Sequence, residues 1–370
     1  MVYAAWFVFG FAFLRLMVSL WNLTRGSILR FSATQQDSLV SVLIPARNEA
    51  GNLPVLLEHL SRQSYPNLEI LIYDDDSSDE TWELIERHAA RDKRIRGIRG
   101  RVLPQGWLGK NHACHKLALE ARGTLLLFMD ADIRPAPAAI ASAIAFMEKH
   151  EVELLSIFPT QQMNSVGEKL TVPLMNWILL SLLPLELVRK SRRPSFAAAN
   201  GQFMLFRAGA YHVHQWHEKV KAEAAEDIAI CRQVKRSAGK AAVLTGGSLI
   251  SCRMYASLAG GIRGFSKNAR QFMGGSAPLL LFFTLVVLSG PFLLFFALDN
   301  LPFLAGIVMF ILIRVFTSLP SRQDIITNLL LHPFQMLAWA VIAFTAVYRE
   351  HSGNLQWKGR NIILEKKNKA

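Results

Sequence analysis

Residues 125–135 read Leu-Leu-Leu-Phe-Met-Asp-Ala-Asp-Ile-Arg-Pro. Five apolar residues without polar alternation predict a strand buried on both faces of a parallel sheet. Asp130 and Asp132 continue it at alternate positions, and alternate residues of an extended chain face the same way. Two carboxylates aimed together need a cation between or beside them. Mg²⁺ and Mn²⁺ take oxygen ligands and commonly share one or two carboxylates with substrate phosphates, so Asp132 and Asp130 are the candidate metal ligands.

Two further short strands precede this one, at 39–44 (LVSVLI) and 68–73 (LEILIY), with periodic stretches at 52–63, 80–91 and 111–122 that predict helices between them. Alternation of this kind predicts an α/β fold with a mostly parallel sheet. Ligands of such sheets bind at the carboxyl ends of the strands. The first strand runs into Pro45, Ala46, Arg47, Asn48 and Glu49, and the second into Asp74, Asp75, Asp76, Ser77, Ser78 and Asp79. Neither GxGxxG nor GxxxxGK[ST] follows a strand, which disfavours the common dinucleotide fold and the P-loop. Asp76 to Asp79 also suit a simple turn or helix N-cap ahead of Glu80 and Thr81. Lys110 closes the loop PQGWLGK and opens a helix, a position suited to phosphate.

Composition places the protein at a membrane. Of 370 residues, 51% are hydrophobic and 19% charged, and the formal net charge is +13. Disorder and disulfide scaffolds are excluded by abundant aromatics and only three cysteines. Residues 277–298 carry no charge and are long enough to span a bilayer. Residues 301–319, interrupted by Arg314, and 325–347, containing Pro333, are further candidates. Residues 2–23 are apolar except for Arg15, and the basic Arg25 and Arg30 follow them, which predicts a retained anchor with an outside N-terminus. The expected segments are an anchor at 1–23, a cytoplasmic catalytic domain at 38–270, transmembrane helices at 277–348 and a basic tail at 349–370. Residues 170–188 are also apolar and precede Arg189, Lys190, Arg192 and Arg193. A crossing there would put the acidic motifs on opposite sides, so 170–190 is expected to lie in the membrane interface, on anionic headgroups.

The order IPARNE, YDDDSSDET, GKNHACHKLALEARG, FMDADIRP and AEDIAI, over roughly residues 38–240, resembles the inverting family 2 glycosyltransferases of the GT-A fold. The resemblance implies a UDP-sugar donor and a metal on the DxD carboxylates. It also implies nucleotide-sugar contacts at Pro45, Ala46, Arg47, Glu49, Asp74, Asp75, Lys110 and Asp130, and a base at Asp227 beside Glu226. Asp76 departs from the family, in which glycine is common there. The segment Gly109 to Cys114, Arg253-Met254-Tyr255 and Trp357-Lys358-Gly359-Arg360 look similar to membrane enzymes that glucosylate a C30 carotenoid acid, the diaponeurosporenoate glycosyltransferases. The processive members' QxxRW motif is missing, since residues 261–268 read GIRGFSKN; polymer synthesis is not expected.

The resulting expectation is a multi-pass plasma-membrane hexosyltransferase, facing the cytoplasm, that moves glucose from UDP-glucose to a carotenoid acid. Asn200, Gly201, Gln202, Arg253, Arg263, Phe265 and Lys267 are the acceptor candidates. The alternatives are a hydroxyl of a glycerolipid, sterol or ceramide-like acceptor and, in another class, a non-catalytic nucleotide-binding membrane scaffold. Zinc on His112, Cys114, His115, His214 and His217 lacks the usual ligand spacing. The basic run 91–101 lacks interleaved aromatics, so it is expected to be a solvated or membrane-surface loop and no nucleic acid partner is expected.

Overall fold

The computed structural model describes residues 1–100, 102–351, 356–357 and 360–361. The expectations placed on Arg101, Lys358, Gly359 and the lysines beyond residue 361 lie outside them. The chain divides into two compact units. One comprises Ile28–Thr160, Val188–Cys252 and Gln356–Ala370, and the other Met1–Ser27, Gln161–Leu187 and Arg253–Leu355.

The first unit is α/β. Its strands, with β7 at its boundary, are β1 (Val40–Ala46), β2 (Leu68–Asp74), β3 (Ile95–Arg99), β4 (Leu125–Met129), β5 (Ile133–Pro135), β6 (Leu154–Phe158), β7 (Thr160–Gln161), β8 (Phe203–Arg207), β9 (Ala241–Thr245) and β10 (Ile250–Cys252). Seven form one sheet in the order β3-β2-β1-β4-β8-β6-β9. β8 runs antiparallel to β4 and β6, and the other neighbours are parallel. Helices Leu53–Ser61, Thr81–Ala89 and Gly109–Glu120 fall where the periodicity predicts them. Val42, Leu43, Ile44, Leu71, Leu126 and Leu127 are fully buried. Strands of this composition suit the centre of a sheet, and the parallel pairing of β1, β2 and β4 brings their carboxyl ends, with the acidic turns, to one edge.

The basic run is not loop throughout, because Ile95–Arg99 pairs with β2 as the edge strand β3. Ile95 is buried, and a Cβ at Gly97 would lie 2.5 Å from Ile85, so the glycine lets the helix carrying Ile85 rest on the strand. Three of the run's arginines are matched locally: Arg94 to Asp92 at 2.7 Å, Arg96 to Glu120 at 2.8 Å, and Arg99 over the Trp82 ring. Charged side chains on an edge strand also discourage further pairing.

Among the described residues the second unit holds three helices long and apolar enough to cross a membrane, Val2–Thr24, Ala277–Ala297 and Asn300–Ser321. At 1.5 Å per residue each exceeds the roughly 30 Å hydrocarbon core. The candidate 325–347 is instead broken at Leu331 into Ile325–Leu330 and His332–His351, with Pro333 in the first turn of the second helix. The break is stitched by side chains. Asn328 donates to Ser318 and Gln323 at 2.9 and 3.0 Å, and Gln335 donates to Asn328 at 3.1 Å and to the Lys169 carbonyl at 2.8 Å.

Segment 170–188 folds into short pieces, chiefly Pro173–Leu182 and Leu185–Lys190. A ten-residue helix reaches only about 15 Å and cannot span. Leu174, Trp177 and Ile178 are buried in a cluster with Met309, Ile313 and Trp339, so the apolar side of this segment faces the unit's own helices. Asn22 donates to the Leu180 and Leu183 carbonyls at 2.8 Å, tying the piece to the first helix.

Candidate active site

The turns after β1 and β2 are laced together. Arg47 donates to the Asp75 and Asp76 carbonyls, the second at 3.0 Å, and lies 3.7 Å from the Asp76 carboxylate. The Asp75 N–H donates to Ala46 O at 2.8 Å, and Ser78 N–H donates to Asn48 Oδ1 at the same distance. Asn48 and Asp76 have φ of +53° and +58°. That left-handed conformation is one glycine adopts freely, which accounts for a glycine-tolerant position holding Asp76. Asp79 accepts from the Thr81 N–H at 3.1 Å, closing a local turn ahead of the helix whose N-cap is Glu80. Asp74 and Asp75 are buried, and Pro45 and Glu49 flank them at the end of β1. Burial pushes the Asp74 carboxyl up from its ordinary range, and its Oδ1 has no hydrogen-bond partner.

A second cluster forms at the end of β4. Lys110, the second residue of helix Gly109–Glu120, places its ammonium 3.0 Å from Asp130 Oδ1 and 3.1 Å from Glu226 Oε1. Asp227 accepts from the Gly201 N–H at 2.9 Å on one oxygen and from the Ile228 N–H at 2.7 Å on the other. A Cβ at Gly201 would stand 2.9 Å from Glu226 Oε1 and 3.1 Å from Lys110 Nζ. The absence of a side chain there therefore permits the convergence. Asn200 and Gln202 flank this glycine: the Asn200 N–H donates to Ser156 at 2.7 Å, and Gln202 Nε2 donates to Asp132 at 3.1 Å. Cys252, on β10, donates its thiol to Asp132 at 3.3 Å.

The electrostatics follow from this crowding. Burial, with Asp130 adding repulsion, pushes the Asp132 carboxyl up to about 6. Burial and the neighbouring Glu226 push Asp227 up to about 7. Burial opposes the charge of Lys110, yet Asp130 and Glu226 outweigh it and hold the ammonium well above the ordinary lysine range. One cation thus faces four carboxyl groups, two of which keep protons unusually well. Asp130 and Asp132 offer oxygen ligands short of compensating charge, a donor set that fits Mg²⁺ or Mn²⁺ shared with substrate phosphates. Among the described residues no group of three or more His, Cys, Asp and Glu side chains is arranged to enclose a metal by itself.

The zinc-type residues are dispersed. His112 and His115 flank the Trp107 ring, and His214 stacks on Trp216. His217 is buried, with Nδ1 2.6 Å from the Tyr211 hydroxyl, and burial brings it down to about 3, so it stays neutral. Cys114 is buried, which pushes its thiol far up. Of the acceptor candidates, Asn200, Gly201 and Gln202 lie in the carboxylate cluster, whereas Arg253, Arg263, Phe265 and Lys267 belong to the second unit. There Arg253 donates twice to the buried Glu168 carboxylate, at 2.8 and 3.0 Å, Phe265 packs on Tyr255 with ring centroids 5.1 Å apart, and Arg263 is exposed. Cys252 and Ser156 escaped the sequence reading. Each lies on a strand far along the chain from its partner and carries no motif.

Residues 41–213 match the family model described as glycosyl transferase family 2. The 4,4'-diaponeurosporenoate glycosyltransferase of Staphylococcus haemolyticus is 26% identical over 254 residues, 68% of this chain and 66% of that protein. A UDP-Glc:alpha-D-GlcNAc-diphosphoundecaprenol beta-1,3-glucosyltransferase of Escherichia coli is 33% identical over 114 residues, 31% of this chain and 43% of that protein. The match thus spans about two thirds of the first relative's length and under half of the second's. A mannosyltransferase of Pyrobaculum calidifontis, solved with GDP-mannose and Mn²⁺, superposes with a TM-score of 0.55 at 16% identity, covering 94% of this chain and 98% of that one. The α/β unit has the GT-A fold, and residues 41–213 of the chain are similar to glycosyl transferase family 2.

Proposed function

We propose that the protein transfers a hexose from a UDP-sugar to an apolar lipid acceptor, with inversion at the anomeric carbon. The observation that supports this most is the convergence of Lys110, Asp130, Glu226 and Asp227 around Gly201, beside Asp132. In a single displacement the acceptor oxygen attacks the anomeric carbon while the bond from that carbon to the diphosphate breaks, and the electron pair leaves with UDP. Asp132 and Asp130 would hold a divalent cation, which supplies charge neutralisation for the diphosphate. Lys110, protonated throughout, adds a fixed positive charge for the departing phosphate. Asp227, with a carboxyl near 7, is poised to accept a proton from an acceptor hydroxyl at neutral pH. The strand-end residues Arg47, Glu49, Asp74 and Asp75 line the nucleotide side.

The leading acceptor is a carotenoid acid and the leading donor UDP-glucose, on the similarity to the staphylococcal enzyme. A second reading, a lipid or sugar hydroxyl, is favoured by Asp227, since an acceptor that arrives as a carboxylate needs no base. The engagement of Arg253 with Glu168 favours it too. An outside N-terminus would put the α/β unit in the cytoplasm. Incubation of the purified enzyme with UDP-glucose and either a C30 carotenoid acid or a lipid extract, followed by mass spectrometry, tests the reading. Absence of any hexosylated lipid together with tight UDP-sugar binding would point to the nucleotide-binding scaffold instead.

A further inference from the structure

Two arginines lie inside the membrane unit. Arg15, on helix Val2–Thr24, is 3% exposed, and Arg314, on helix Asn300–Ser321, is 1% exposed. Their guanidinium carbons stand 4.1 and 5.4 Å from the centroid of one ring, that of Trp177. Among the described residues neither forms an ion pair with Asp or Glu. Arg15 donates twice to Ser181 Oγ, at 2.6 and 3.1 Å. Arg314 Nε and Nη2 are buried with no hydrogen-bond partner, and so is Nδ1 of His332, whose ring lies 5.7 Å from that of Trp177. A small cavity opens here, lined by Arg15, Trp177 and His332 together with Val286, Phe310 and Met336; Arg314 does not line it and joins the group through the Trp177 ring.

Charged side chains within membrane helices are costly and mark binding sites when they face the bundle interior. Stacking on Trp177 offsets part of that cost but satisfies no N–H. What the cluster lacks is an anionic acceptor with more than one oxygen, which a guanidinium fork binds well. The rest of the lining is apolar, which suits a hydrocarbon chain and not a hydrated ion. We propose that Arg15, Arg314 and His332 form a site for the carboxylate or phosphate of an anionic amphiphile, whose chain lies along the apolar side chains of the cavity. The site stands within one unit and does not rest on the transferase reading.

The test is thermal unfolding of the full-length protein in neutral detergent with oleate, dioleoyl phosphatidate, dioleoyl phosphatidylcholine or inorganic phosphate. Oleate or phosphatidate should raise the midpoint saturably, and phosphatidylcholine and phosphate should not. Arg15→Gln and Arg314→Gln should each weaken the apparent affinity at least about tenfold, near 1.4 kcal/mol, while Arg25→Gln, at an exposed position, leaves it unchanged. An equal response of the wild type and both Gln variants would overturn the proposal, as would no response to either amphiphile. A response reproduced by phosphate alone would overturn the amphiphile. Should the variants not fold, a photoactivatable fatty acid on the wild type should crosslink to peptides from Val2–Thr24 or Asn300–Ser321; crosslinks confined to other segments would overturn it.

Discussion

Asp227 spends both carboxylate oxygens on backbone N–H groups and still holds its proton to about 7, because it is withdrawn from much of the solvent and Glu226 adjoins it. Asp132 behaves similarly, near 6, against an ordinary value of 3.8 for each. A carboxyl raised in the folded state binds protons that the unfolded chain has released, so its contribution to stability falls as pH climbs from about 4 to about 7. In EDTA, the midpoint of Asp227→Asn minus that of the wild type should therefore be near zero at pH 4 and grow positive by pH 8, as read by thermal scans; a shrinking difference would contradict the raised value. Asp132→Asn should lose more than tenfold in metal-dependent turnover, at least about 1.4 kcal/mol of transition-state stabilisation, with folding retained. With a hydroxyl acceptor, Asp227→Asn should lose about 10²- to 10⁴-fold in kcat. With a carotenoid acid it should keep substantial activity, since a carboxylic acid with a pKa of roughly 4 is already ionised at neutral pH.

Glycines decide how closely the elements approach. At the turn before β8, Gly201→Ala would press a methyl group against Glu226 and Lys110. Because those atoms are the ends of side chains, the sheet should survive while the site is displaced. The expected outcome is turnover reduced at least tenfold with a midpoint within a few degrees of the wild type. Gly264, on helix Leu258–Phe272, is different, because a Cβ there would overlap the Tyr255 ring. Gly264→Ala should cost about 1–3 kcal/mol as an overpacked contact. Denaturant titration checks it, and Tyr255→Ala added to Gly264→Ala should recover part of the loss if the overlap is the cause.

The three apolar helices set the expected topology of the whole chain. With an outside N-terminus, one crossing by Val2–Thr24 and two by Ala277–Ala297 and Asn300–Ser321 would leave everything after Ser321 on the cytoplasmic side. Among the described residues the broken segment after Asp324 is not one of the helices long and apolar enough to cross, so the expected topology counts no crossing there. The basic tail, with Arg349, Lys358, Arg360, Lys366, Lys367 and Lys369, agrees with that side. A cysteine introduced at Lys366 should resist an impermeant thiol reagent in intact cells and react after permeabilisation. Read without any structure, the residues already marked out β1, β2, β4, the helices between them, the DxD pair and the apolar helices near each end. Each of these is written in the periodicity or length of a contiguous stretch. Tertiary structure alone decided that 95–99 is an edge strand, that β8 inserts antiparallel, that Gly201 seats Asp227 and that Cys252 reaches Asp132, 120 residues away. It also gathered Arg15 and Arg314 around Trp177. The physical reason is range: local patterning reports which face of an element is apolar, whereas partners across a sheet or a helix bundle are chosen by packing between stretches that share no pattern.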